Sequence, residues 1–129
     1  MSKQSESNIC IGQKEADYLR LEPLRNVVSG WRAGNIAVRC GAWAGHFAAQ
    51  FLLGELGKFG KEIEYLCEGL KPKVEFKSAE HYLDMSLARD SRGRIHVEGQ
   101  ARERPGSKTA LGFEFDVDTP RCCQKWPEH

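Results

Sequence analysis

The sequence predicts an α+β fold: a twisted antiparallel β-sheet of about seven or eight strands with one main α-helix packed on it. Two observations carry that prediction. Between Leu52 and Leu70 the apolar residues Leu52, Leu56, Phe59, Ile63, Leu66 and Leu70 recur in steps of four and three, which places them on one face of a helix. Almost everywhere else the apolar residues alternate with polar ones, the period of a half-buried strand. A lone helix of this length is marginal in water, so its apolar face must lie on the strands.

The opposite side of the helix carries Glu55, Lys58, Lys61, Glu62, Glu64 and Glu68 and reads as solvated. Gly69 stands where a C-terminal cap glycine belongs, and Pro72 follows as a stop. Gly54, Gly57 and Gly60 each weaken the helix by roughly 1 kcal/mol relative to alanine. Their spacing makes a bare strip beside the apolar stripe, and the expectation is close approach of a neighbouring backbone.

Before the helix, Asn8–Gly12 reads as a short edge strand and Tyr18–Glu22 as a strand that Pro23 ends. Asn26–Gly34 reads as a short extended piece at Val27–Val28 and a loop through Gly30, Trp31 and Gly34. Asn35–Cys40 buries Ile36, Val38 and Cys40. After a turn or bulge near Gly41, the next strand has Trp43, Gly45, Phe47, Ala49 and Phe51 on one face, with His46 and Gln50 opposite. After the helix, Lys73–Lys77 has Val74 and Phe76 on one face, and Tyr82–Ala88 turns Leu83, Met85 and Leu87 inward. Asp90-Ser91-Arg92-Gly93 is a hairpin turn leading to a strand over Arg94–Arg102. Pro105-Gly106 is a second turn, and Ala110–Asp118 buries Leu111, Phe113, Phe115 and Val117. This half is an antiparallel meander with one wet face.

At 129 residues, with 29% charged and 40% apolar residues, the chain is read as a single domain over 1–129 with one sizeable core. Residues 1–8 are expected to be a disordered lead-in and 119–129 an irregular tail. No run of about 18 apolar residues exists, so no membrane span is expected. The lead-in lacks the apolar centre of a signal peptide. The five cysteines are odd in number and follow no disulfide framework, so reduced thiols in a cytoplasm are expected. A formal net charge of +1 supplies no global basic field, and no nucleic-acid partner is expected.

The chemistry-bearing residues form no motif. His46, His81, His96 and His129 have no metal-ligand spacing, and the adjacent Cys122-Cys123 suits neither a redox pair nor tetrahedral zinc. No glycine-rich phosphate loop lies between strand and helix. The carboxylates of the meander should face water, and an open sheet face offers no cleft to drive two pKa values apart. The reading is therefore a protein without catalytic residues, metal or cofactor, whose work is surface recognition. The residues proposed to meet a partner are the outward row of the meander: Asp84, Arg94, His96, Glu98, Arg102, Glu114 and Asp116. The alternatives are a small enzyme or metal-binding module built on the histidines and cysteines, and a domain that self-associates, as a homodimer, through an exposed strand edge.

The order of LRLEPLRN, then WRAGNIAVRCGAWAGHFAAQFLLGELGKFGKEIEYLCEGLKPKVEF, then LDMSLARDSRGRIHVEGQARERPGSKTALGFEFDVDTP resembles the WapI-type immunity protein family of bacteria. The resemblance covers Leu19 to about Thr119. It rests on a short LxL strand, the turn WRAGN, a paired strand with GxF and the helix ELGKFGKEIEYL. A hairpin with DxxGxIxVxG, a PG turn and the strand LGFEFDVDT complete the series. It implies a cytoplasmic immunity protein that binds and neutralises the toxin domain of a contact-dependent or secreted polymorphic toxin. It offers no catalytic motif to carry over.

Overall fold

A computed structural model describes residues 8–12 and 16–118; the expected lead-in up to residue 7 and the tail at 119–129, with Cys122, Cys123 and His129, lie outside the described residues. Eight strands and one helix run in the order β1 (Ile9–Gly12), β2 (Tyr18–Val28), β3 (Trp31–Cys40), β4 (Trp43–Leu52), α1 (Glu55–Cys67), β5 (Lys73–Lys77), β6 (Leu83–Arg89), β7 (Arg94–Ala101) and β8 (Leu111–Asp118). The strands form two four-stranded antiparallel sheets, β1-β2-β3-β4 and β5-β6-β7-β8.

The expectation of one sheet is thus corrected to two. The alternation of apolar residues states which side chains share a face, and most of those assignments hold in both sheets; Trp43, at the start of β4, is the exception at 72% exposed. It does not state which strands pair. β4 and β5 are separated by α1 rather than by a hairpin, and they do not hydrogen-bond to one another. Each half is an up-and-down meander with one apolar face, and the two faces cover each other. Ile36, Val38, Ala49 and Phe51 of the first sheet share one core with Leu83, Leu87, Val97, Phe113 and Phe115 of the second and with Leu56, Phe59, Ile63 and Leu66 of α1.

The helix is shorter than its apolar rhythm suggests. Leu52 ends β4 and is 44% exposed, and Leu70 lies beyond the helix at 68%. The chain leaves α1 through a left-handed Gly69, φ 80°, with Gly69 N–H donating to Leu66 O and Leu70 N–H to Tyr65 O, the Schellman pattern. Its last carbonyls gain a further donor from outside: Nη1 of Arg89, on β6, bonds to Leu66 O at 3.0 Å and to Cys67 O. The expected close backbone approach along the glycine strip fails at Gly60, where an added Cβ would meet only Ile9 Cδ1, at 4.0 Å.

β2 does not end at Pro23. It continues to Val28 after a register shift between Pro23 and Val27, and a two-residue turn with positive φ at both Ser29 and Gly30 leads into β3. Proline is tolerated there because, among the described residues, β1 pairs only with Tyr18–Leu21 and no strand bonds that side of β2 past Leu21. In the second sheet, Gly99 of β7 faces Met85 of β6. An added Cβ would lie 2.5 Å from Asp84 O and 2.8 Å from Met85 Cα, so this close crossing of β6 and β7 requires glycine. No helix among the described residues is long and apolar enough to cross a membrane.

Candidate partner-binding face

The outward face of the second sheet is set by register. Ser86, Glu98 and Glu114 stand opposite one another across β6, β7 and β8, and Ala88, His96 and Asp116 form the next row. The carboxylates of Glu98 and Glu114 are therefore held directly across a strand pair, an arrangement that repels unless a cation lies between them. His96 supplies it. Its Nε2 lies 2.8 Å from Glu114 Oε2 and 3.3 Å from Glu98 Oε1, and its Nδ1 lies 2.7 Å from Asp116 Oδ1. The hydrogen bond to Asp116, helped by the charges of Asp116 and Glu114, raises the His96 pKa above its ordinary value of 6.5 against a smaller opposing effect of burial.

The seven residues expected to form a site are thus all placed, but not all together. His96, Glu98, Glu114 and Asp116 form one contiguous cluster. Asp84 and Arg102 form a second group, where Arg102 Nη1 lies 3.3 Å from Asp84 Oδ2 and Arg102 Nη2 donates to Gln100 Oε1 at 2.8 Å. His81 also reaches Asp84, at 3.1 Å. Arg94 stands at the hairpin end, where its Nε is 3.7 Å from Asp118 Oδ1. Asp118 continues the outward alternation Glu114, Asp116, Asp118 and was legible from that pattern.

Cys40 was not. Its thiol donates to Glu114 O at 3.2 Å and accepts from Glu114 N–H at 3.5 Å, joining the end of β3 to the middle of β8. The contact links residues far apart in sequence and on different sheets, and no local signal announces it. Cys40 lines a shallow groove of about 430 Å³ with Glu98, Gln100, Gly112 and Glu114, beside the histidine cluster.

The ligand atoms of His96, Glu98 and Glu114 all lie within 4.8 Å of one another, so this trio is the place among the described residues where a metal ion could be held. All three are solvent-exposed to a large degree, 42% for His96 and 59% and 65% for Glu98 and Glu114. Among the described residues the groove on this face is open to solvent. Its plainest chemical capacity is to offer carboxylates to a cationic surface.

Comparison with known proteins places the chain. Two solved structures resemble it. One is from the MRP1/MRP2 structures of Trypanosoma bruciei, with a TM-score of 0.47 and 12% identity over 89% of this chain and 74% of that one. The other is from a guide-RNA-binding protein complex bound to a gRNA, with a TM-score of 0.49 and 11% identity over 89% of this chain and 79% of that one. No curated protein matches the sequence. The sequence model of the WapI-like immunity protein family matches residues 10–121, a span that takes in β2 to β8 and α1 whole. The chain belongs to the WapI-like immunity protein family.

Proposed function

We propose that this protein is a non-catalytic immunity protein that binds a cognate toxin domain and neutralises it by covering the toxin's working surface. Family membership supplies the immunity role. The observation that carries the docking site is the exposed carboxylate cluster of Glu98, Glu114 and Asp116 around His96. The chain's net charge of +1 hides a local field of opposite sign on this face. Basic groups of a toxin would meet the carboxylates there. Asp84, Arg94 and Arg102 flank the cluster, and arginine's fixed fork adds directional contacts at an interface. Charges at the rim of such a contact speed association, and those buried within it hold the complex.

The toxin is to be sought as the variable C-terminal domain of a large secreted protein encoded beside this chain, of the contact-dependent or polymorphic kind. Co-expression with that domain should restore growth, and the purified pair should form a one-to-one complex. Growth arrest despite full expression of this chain would reject the pairing. A metal analysis of purified, untagged protein addresses the exposed His96, Glu98 and Glu114 trio: stoichiometric zinc or iron would shift the reading to a metal-dependent module. We place the protein in the cytoplasm, where its thiols stay reduced. Thiol counting under denaturing, non-reducing conditions should find all five; three or fewer would contradict that placement.

A further inference from the structure

Each sheet has two edges, and three of the four are protected. β1 is four residues long and buried throughout. β5 carries Lys73, Glu75 and Lys77 in five residues and has α1 packed beside it. β8 carries Glu114, Asp116 and Asp118 and lies against β1 and β3. Charge, shortness and cover are the usual means by which an edge is kept from pairing. β4 has neither the charge nor the shortness, and although α1 also packs beside it, no strand among the described residues covers its outer edge. It runs for ten residues, WAGHFAAQFL, without Asp, Glu, Lys, Arg or Pro, and among the described residues its only hydrogen-bonded neighbour strand is β3.

The unmet backbone groups of β4 can be assigned. Its register with β3 is unbroken from Trp43 to Leu52. Leu52 N–H donates to Glu55 Oε1 at 3.0 Å rather than to β3, so Leu52 directs its backbone groups away from the ladder. In an antiparallel pair that orientation recurs at alternate residues. Ala44, His46, Ala48 and Gln50 therefore turn their N–H and C=O groups toward the open side, and all four side chains are exposed. The strand also has exposed apolar residues at both ends: Trp43 at 72%, Leu52 at 44% and Leu53 at 54%.

We propose that β4 is a self-association edge, on which two copies of this chain pair antiparallel about a two-fold axis at Ala48. A two-fold pairing keeps both core faces on the same side only when opposed residues have the same parity, which a centre on Ala48 satisfies. It sets Ala48 against the partner's Ala48, His46 against the partner's Gln50, and Trp43 against the partner's Leu53. The exposed apolar ends are then brought together, and the facing residues at the centre are small and uncharged. Self-pairing through β5 or β8 would bring like charges together, whereas a partner of different sequence would need no such neutrality. These features favour a second copy over a foreign strand. The surface is separate from the outward face of the second sheet, so the proposal stands independently of the toxin-binding reading.

Light scattering on the size-separated full chain, across a range of concentrations, tests it with Ala48→Lys and, as a control on the same face of an interior strand, Ala33→Lys. Like charges opposed at the axis should weaken the dimer by about tenfold or more, and Ala33→Lys should leave it unchanged. In the wild type, hydrogen exchange at the His46, Ala48 and Gln50 amides should slow as concentration rises. That second measurement decides the matter if Ala48→Lys fails to fold. A wild-type chain that is monomeric at every concentration, a dimer indifferent to Ala48→Lys, or exchange at those amides independent of concentration would each overturn the proposal.

Discussion

Replacing Phe59 by alanine should cost about 3 to 5 kcal/mol of stability. Phe59 is 2% exposed on the buried face of α1, and its ring stacks on Phe76 of β5, centroids 4.3 Å apart and planes 20° apart. Truncation removes the ring from a filled core, leaves a cavity between helix and strand, and deletes an aromatic pair worth about 0.5 to 1.5 kcal/mol beyond burial. The upper half of the range is expected because the cavity lies between α1 and β5, and the Schellman turn and the Arg89 bonds hold the end of α1 near β6 and resist collapse. Urea unfolding followed by circular dichroism would read the change as a lowered midpoint at constant slope. Phe59→Leu, which keeps most of the volume, should lose markedly less. A loss below about 1 kcal/mol for Phe59→Ala, the size of an ordinary surface change, would refute the assignment of this helix face.

Three other perturbations separate parts of the account. Arg89→Ala removes the charged donor from the α1 carbonyls of Leu66 and Cys67 and should cost about 1.5 to 3 kcal/mol by the same unfolding assay; a neutral result would mean that water replaces it. Gly60→Ala should stabilise by about 0.5 to 1 kcal/mol, since its methyl group would meet only Ile9 Cδ1 at 4.0 Å, and a lowered midpoint would reveal crowding there. His96 has a raised pKa in the fold, so its charged form stabilises the protein fully below its unfolded value of 6.5, and this stability is lost as pH rises through the folded value. Because His96 is 42% exposed the effect should be modest; His96→Gln should flatten the fall in stability over that window, and an unchanged slope would remove His96 as its source.

The alternation of apolar residues was enough to orient nearly every strand. The outward placement of Asp84, His96, Glu98, Glu114 and Asp116 follows directly from Leu83, Met85, Ile95, Val97, Phe113 and Phe115 pointing in. Pairing was less legible. Periodicity has no term for which edges meet, so the division into two sheets emerged only with the hydrogen-bond order. Periodicity overextends the helix at both ends because Leu52 and Leu70 fit the rhythm of α1 while belonging to β4 and to the loop past the Schellman turn. Pro23 looks like a terminator in the sequence because its tolerance depends on how far β1 reaches, which is a tertiary fact. Within the candidate face, charge and position were visible in the sequence. The clustering of three carboxylates on one histidine depends on the β7–β8 register, and the Cys40 contact on the packing of one sheet against the other.

Capture of a toxin through the carboxylates of the second sheet, as proposed, makes binding sensitive to charge at Glu98 and Glu114. Calorimetric titration of the cognate toxin domain with wild type and with the Glu98→Lys, Glu114→Lys double variant tests it most directly. Both positions are more than half exposed, so the variant should fold. Charge reversal at contacts that become buried on binding should cost about 2 to 5 kcal/mol, enough to abolish protection in cells. A folded double variant that binds the toxin as tightly as wild type would contradict the claim and remove this face as the docking site.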